Sequence, residues 1–500
     1  MKKFWRKYHK WVGLFFSFFI LMFCFSGIIL NHRGAFSECE ISRSWMPKDY
    51  HFENWNNGII RGTFKLPNGE VLCFGNAGVW KTDSCFSAFK PLNEGLKKGI
   101  DNWKISNMVR LPDGSVWCAG FDELYRLTDS EKWIPKELKG NEERISDITV
   151  RNDTLVVLTR SHVYEALAPY HNFTCHELPE PEGYAPKTTL FRTVWMLHSG
   201  ELFGLPGQLF VDCMALVFIA LCITGVAFTF IPKLIKWRKR KNLSVKRAAN
   251  TLKFSTKWHN NLGKWLIIPT VFLAVTGMSL RPPLMIPLAI CSVKPLPGST
   301  LDSENPWHDK LRGIRWDKHL NCWLMSTSVG FYQLVDFTSV PKAMPKAPGV
   351  SPMGINVFHP CENGEWLIGS FSGLFRWNPK TEMVTDYFTD KPIKRTFGRP
   401  IGSVAVSGFS TDLAAANEVI FEYNDGARTK TEHTIHLAGM PQMMVDMPMS
   451  LWNFALELHV GRCYTPFLGP ISVLFVFLAG LLLTLTLISG YIVRPKKRKK

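Results

Sequence analysis

The chain has no Gly-x-Gly-x-x-Gly and no Cys-x-x-Cys anywhere in its 500 residues. The first absence removes the dinucleotide fingerprint, so no flavin or nicotinamide domain is built in. The second removes the attachment signal for a c-type haem. No kinase-like or output domain occupies the short segment between the second and third apolar runs. No small-x-small cleavage pattern follows the first apolar run, because Asn31-His32-Arg33 comes straight after it. That run is also too long for a signal peptide, so a retained signal anchor is expected. Acidic residues are scarce as well: 41 against 59 basic ones, for a net charge of +18.

Such a charge would suit nucleic acid, but its placement argues for a membrane topology. Lys2, Lys3, Arg6, Lys7 and Lys10 precede the first apolar run. Ten Lys and Arg from Lys233 to Lys257 fill the segment between the second and third, and Arg494 to Lys500 end the chain. With four spans all three clusters fall on one side, which the positive-inside rule makes cytoplasmic. Each apolar run meets the roughly 20 residues that a bilayer demands. A mean hydropathy of -0.01 leaves much of the chain outside lipid.

The expected order is a cytoplasmic N-terminus and first span over 1–32, and an extracytoplasmic segment over 33–195. A second span follows over 196–232, then a basic cytoplasmic loop over 233–257 and a third span over 258–281. A second extracytoplasmic segment covers 282–455, a fourth span 456–493, and the basic tail 494–500. Both termini are thus expected to be cytoplasmic, and the two large segments extracytoplasmic.

The apolar runs share a device. Each carries a histidine near one end and closes on Ser-Gly or Thr-Gly. His9, Gly13 and Ser26-Gly27 recur at the same offsets as His259, Gly263 and Thr276-Gly277. Leu197-His198-Ser199-Gly200 is echoed by Leu458-His459-Val460-Gly461. Polar groups at membrane depth are costly and usually functional. Neutral imidazole is a good axial ligand, and two of them saturate a haem iron, which suits electron transfer. Without a covalent attachment signal the haem is expected to be b-type. The topology sorts the ligands by depth: His9 with His259 for an inner haem, and His198 with His459 for an outer one. His32 is left as a competing ligand or a propionate partner. It lies 23 residues beyond His9, about 35 Å along a helix and essentially the whole bilayer. The glycines would admit a flat macrocycle or close helix packing.

The extracytoplasmic segments repeat. Phe64 to Gly75 recurs as Val109 to Gly120, and a weaker copy runs from Ile148 to Val157. The offsets of 45 and about 40 residues match one four-stranded propeller blade. Asn68-Gly69 and Asp113-Gly114 are expected hairpin turns with both residues at positive φ. Residues 312–332, 355–377 and a degenerate copy at 401–424 carry the theme on, giving about six blades or two smaller β domains. Cys73 and Cys118 fall at equivalent blade positions, where core packing is the expectation. Cys24, Cys213 and Cys222 are expected to be small apolar residues within spans. Disulfides are permitted on the extracytoplasmic side, and spacing does not assign them. Among the histidines of these segments only His433-Thr434-Ile435-His436 approaches metal-ligand spacing. The fold class expected is therefore an integral membrane α-helical protein, four transmembrane helices forming a di-haem bundle. Two inserted segments build an extracytoplasmic all-β, propeller-like domain on it.

At His9-Lys10-Trp11-Val12-Gly13, Trp258-His259, the two Leu-His-x-Gly motifs and Ser489-Gly490-Tyr491, the chain resembles the PepSY-associated transmembrane helix family. That family includes inner-membrane ferric-siderophore reductases of Gram-negative bacteria. The resemblance implies a four-helix di-haem unit passing electrons outward to reduce chelated iron in the periplasm. The donor would be membrane quinol or a separate reductase, with an iron-uptake system as partner. The likeness covers the helices, a quarter to a third of the chain. The family's extracytoplasmic parts are usually small α/β domains, unlike the β repeats here. The alternative is a non-catalytic, membrane-anchored propeller that senses a periplasmic ligand or partner. A permease role is disfavoured by four spans that show no carboxylate pathway.

Overall fold

The computed structural model describes residues 2–138, 144–393, 402–435 and 437–494. His436 and the basic tail after Arg494 lie outside them. The chain forms two compact units. One joins Met1–Phe36, Pro186–Ser303 and Leu451–Lys500; the other joins Ser37–Ala185 and Glu304–Ser450.

The first unit is helical. Its main elements are α1 (Lys2–Asn31), α2 (Leu190–Ser199), α3 (Gly204–Arg240), α4 (Lys246–Trp265), α5 (Ile267–Ser279), α6 (Leu451–Val460) and α7 (Ser472–Val493). Among the described residues Lys2–Asn31, Glu201–Arg240 and Arg462–Val493 are long and apolar enough to cross a membrane. The pair α4–α5 makes a fourth candidate, bent by 70°. The third span expected over 258–281 falls on this bent pair. Pro269 has no N–H for the Trp265 carbonyl, so the ladder breaks there. Thr270 turns both its N–H and its hydroxyl to the Leu266 carbonyl instead, at 3.1 and 2.7 Å.

Three other boundaries move. The expected basic loop over 233–257 is largely helix, since α3 runs to Arg240 and α4 starts at Lys246. The second and fourth spans are each preceded by a separate short helix. Residues 186–195 and 282–303 belong with the helices, where Thr188–Thr189 pairs with Ser292–Val293.

Within the bundle α1 packs on α3 and α7, α3 on α4, and α5 on α7. Ile20, Cys24, Ala215, Phe218 and Cys222 form its buried centre, while Cys213 is exposed. Cys24, Cys73, Cys118, Cys222, Cys322 and Cys463 are buried as free thiols.

The second unit is a ring of six antiparallel sheets. Blade one spans 62–91, blade two 107–136, blade three 145–176, blade four 311–344, blade five 357–386 and blade six 406–428. The first five have four strands and the sixth has three. Closure is read from the cores, because each sheet shares one with the next. Phe74 meets Met108 and Tyr125 between blades one and two, and Trp117 meets Ile148 and Tyr164 between two and three. Val156 packs with Trp323 next, then Leu324 with Trp366, and Leu367 with Val406. The sixth core joins Phe421 and Ala427 back to Cys73 and Trp80. Gly62 also sits beside Phe409 in a parallel pair, so blades one and six share a sheet edge. Cys73 and Cys118 are core residues, as their positions predict.

The hairpin turns differ from expectation. Gly69 and Gly114 have φ of 88° and 87°, but Asn68 and Asp113 are not at positive φ. Gly69 N–H bonds the Leu66 carbonyl at 3.0 Å, and Leu66 N–H bonds the Glu70 carbonyl at 2.8 Å. The loop is thus one residue longer than a two-residue hairpin. Pro67 presets the first turn angle and only the glycine enters the left-handed region.

Blade six buries an ion pair: Arg428 Nη1 lies 2.5 Å from Glu422 Oε1, with both side chains under 10% exposed. Arg428→Met would leave the Glu422 carboxylate without its partner, a loss of about 3–5 kcal/mol. A lowered urea midpoint by tryptophan fluorescence is the expected result; an unchanged midpoint would show that the pair contributes nothing.

Candidate functional site

The four motif histidines meet in two pairs. The rings of His9 and His259 have centroids 6.0 Å apart, and those of His198 and His459 are 6.2 Å apart. These are the two pairings that the depth argument predicts. α1 carries His9 near its start, while Ser26, which contacts His459, lies 17 residues on. That is about 25 Å of helix, so the pairs stand well apart.

The Ser-Gly and Thr-Gly motifs prove to be seats for the histidines of other helices. Ser26 of α1 lies 2.9 Å from Nδ1 of His459, and Thr276 of α5 lies 3.1 Å from Nδ1 of His198. Thr224 of α3 lies 3.0 Å from Nδ1 of His259. Nδ1 of His9 is 3.0 Å from the Thr486 carbonyl and 3.3 Å from Ser489 Oγ, both on α7. Each adjoining glycine faces the ring edge. A Cβ on Gly27, Gly225, Gly277 or Gly490 would come 3.4, 3.3, 2.7 or 2.7 Å from the Cε1 of His459, His259, His198 or His9. The role expected for these glycines was room for a macrocycle or for helix packing. The room they give is for the imidazole.

This seating fixes the tautomer. Each of the four hydroxyls gives its own proton to a carbonyl one turn back: Ser26 to Met22, Thr224 to Ala220, Thr276 to Phe272 and Ser489 to Thr486. A hydroxyl so committed accepts from the imidazole, and a carbonyl always accepts. Nδ1 therefore carries the proton in all four rings, and Nε2 keeps its lone pair. A fixed Nδ1–H is the usual support of a metal-bound histidine.

The spacing fits one metal between two imidazoles. Two nitrogen–metal bonds of roughly 2 Å, plus half a ring at each end, put the centroids about 6 Å apart. Among the described residues no group of three or more His, Cys, Asp or Glu gathers. Two ligands alone would hold a bare ion poorly, whereas a porphyrin supplies the remaining four positions. The donor set fits haem.

His198 and His459 owe their placement to Leu-His-x-Gly, which is a helix stop. α2 ends at Ser199 and α6 at Val460, and the next residues, Gly200 and Gly461, take φ of 85° and 80°. Only glycine does this without strain. His32 stands apart from both pairs. Its Nε2 lies 2.7 Å from Asp212 Oδ2, and Asn31 donates to Asp212 Oδ1 at 3.0 Å. Asp212 belongs to no repeated motif, so the repeats do not point to it. The signal was present, since it is the single charged residue between Gly204 and Pro232.

No curated protein matches the chain. Among solved structures, the extracellular domain of a protein described as a hybrid two-component system from B. thetaiotaomicron is similar at 10% identity and TM-score 0.35. It covers 79% of this chain but 36% of its own, so the chain spans about a third of it. Virginiamycin B lyase from Staphylococcus aureus is similar at 8% identity and TM-score 0.35, covering 75% of this chain and 81% of its own. The blade count rests on strand pairing, not on these neighbours. The family described as the PepSY-associated TM region matches residues 1–231 and again 214–496. One match falls on each half, in step with the repeat of His9 in His259. The chain is a membrane protein and belongs to the PepSY-associated TM family.

Proposed function

We propose that the chain is an inner-membrane protein with two b-type haems that passes electrons across the membrane to reduce a ferric chelate in the periplasm. The observation that carries this reading is the pair of seated bis-histidine sites. His9 with His259 would hold one haem, and His198 with His459 the other. Haem supplies a one-electron redox centre when bound, and the protein sets its placement and potential.

The residues' own work is orientation and exclusion. Ser26, Thr224, Thr276 and the α7 segment around Thr486 keep each Nδ1 protonated and each Nε2 presented. Ile20, Phe218 and their neighbours fill the space between the pairs with apolar side chains, which keeps water out. The charge clusters before α1 and from Lys233 to Lys257 support a cytoplasmic location for that side. The propeller would then lie in the periplasm. With no nucleotide fingerprint in the chain, quinol or a separate reductase is the donor of choice.

The test is the visible spectrum of the detergent-purified protein, oxidised and dithionite-reduced, with a haem-to-protein ratio. Two low-spin b-type haems per chain, reoxidised by a ferric siderophore, are the expected result. Colourless protein from cells with ample haem would overturn the reading and leave a membrane-anchored propeller that binds a ligand.

A further inference from the structure

The end of α1 is tied into the bundle by one side chain. The amide of Asn31 has two N–H groups, and both are used. One is donated to Asp212 Oδ1 of α3 at 3.0 Å, the other to the Ser199 carbonyl at 3.2 Å. Asp212 Oδ2 lies 2.7 Å from His32 Nε2, so each oxygen of the acid has a partner. The Asp212 side chain is 13% exposed, and an acid so placed in an apolar helix is costly unless it is answered. Three helices meet here: the end of α1, the stop of α2 and the first third of α3.

Ser199 is the last residue of α2 and follows His198 directly. Its carbonyl is among the final four of that helix, which have no partner within the helix itself. Asn31 supplies a partner from outside. The link therefore holds the peptide next to a motif histidine, at the point where Gly200 turns the chain away. α1 also carries Ser26, which contacts His459 and stands five residues before Asn31. One helix end thus holds both members of the outer pair: His459 through Ser26, and His198 through Asn31 and the Ser199 carbonyl. Asp212 keeps the Asn31 amide turned toward that carbonyl, because an amide held by one acceptor alone can swing away.

The repeat shows that the fold does not demand the tie. Laying Thr224-Gly225 on Ser489-Gly490 puts Asp212 on Phe477, and laying His9 on His259 puts Asn31 and His32 on Arg281 and Pro282. A phenyl ring offers no carboxylate to accept from a neighbour. The acid occurs in one half of the repeat, beside the helix stop that carries His198.

We propose that Asp212 and Asn31 are positioning residues of the outer haem site, fixing the turn of the His198 imidazole relative to that of His459 through the Ser199 carbonyl. The inference rests on the haem reading and adds to it the residues that set the geometry of the outer ligands.

The test is electron paramagnetic resonance of the oxidised, full-length protein in detergent. A low-spin ferric signal reports how the planes of two axial imidazoles are turned against each other. The pairs differ in this respect, at 66° for His9 with His259 and 50° for His198 with His459. Two signals are expected, and His198→Ala identifies the outer one by its loss. Asp212→Leu and Asn31→Leu should each shift the outer signal and leave the inner one in place, which also shows that the bundle has folded. Transfer of the outer haem to apomyoglobin should become about tenfold faster, as when the outer support of a metal-bound histidine is lost. Asp212→Asn, whose side-chain carbonyl can still accept from Asn31, should keep the wild-type signal. The inference is overturned if both leucine variants leave the outer signal unmoved, or if they shift both signals alike. Wild-type protein that purifies without haem would overturn the haem reading, and this inference with it.

Discussion

Alanine at His9 or at His259 is expected to lower the haem content from two per chain to one, and alanine at His198 or His459 to remove the other. On the proposed reading each pair would share one haem iron, so losing either member should abolish the same low-spin centre. The double variant His9→Ala/His259→Ala should then look like either single variant. By contrast His9→Ala/His198→Ala should be colourless. This pairwise logic separates ligation from a general loss of stability, which would not sort four histidines into two classes. The arrangement behind it is on hand: rings 6.0 and 6.2 Å apart, with every Nδ1 already engaged. His32→Ala serves as the contrast. Its Nε2 is committed to Asp212, so both haems should survive its loss. If all four motif variants kept two haems, or if His32→Ala alone lost one, the ligand assignment would fall. The measurement is the reduced-minus-oxidised spectrum with a haem-to-protein ratio.

How much of this the sequence discloses depends on the range of the interaction concerned. The histidine pairs are legible because repetition and depth suffice: equal offsets in two helices and a charge pattern that orients them. The purpose of Ser-Gly and Thr-Gly is not legible. Thr224 serves His259 and Ser489 serves His9, partners 35 and 480 residues apart, and only helix packing reveals which helix seats which ring. The blades read well from their inner hairpins, because Leu-Pro-Asn-Gly and Leu-Pro-Asp-Gly are local signals. Closure is a long-range event, made by Phe421 and Ala427 reaching Cys73 and Trp80, and no local motif announces it. The break at Leu266 was written in Pro269 but was masked by the apolar run around it. Asp212 is the opposite case: a lone acid in an apolar helix that belongs to no repeat, so that only its contacts with Asn31 and His32 give it a role.

The seating glycines give the second large effect, and it is graded. A methyl group on Gly490 or Gly277 would sit 2.7 Å from the Cε1 of His9 or His198, inside contact distance. The ring cannot retreat freely, because its Nδ1–H is tied to α7 or to Thr276. Gly490→Ala should therefore displace His9 and weaken the inner haem, and Gly277→Ala should do the same to His198 and the outer one. Disturbing the support of a metal-bound histidine commonly costs 10–100-fold in affinity. A comparable fall in haem retention is expected on dilution into detergent containing apomyoglobin. Gly225 and Gly27 supply the comparison within the same protein. There the added carbon would meet the ring at 3.3 and 3.4 Å, a separation that a shift of a few tenths of an ångström absorbs. Gly225→Ala and Gly27→Ala should hold their haems within a few-fold of wild type. Equal losses at all four positions would mean that the glycines serve helix packing in general. Losses confined to Gly490 and Gly277 would tie the motif to the imidazole it faces.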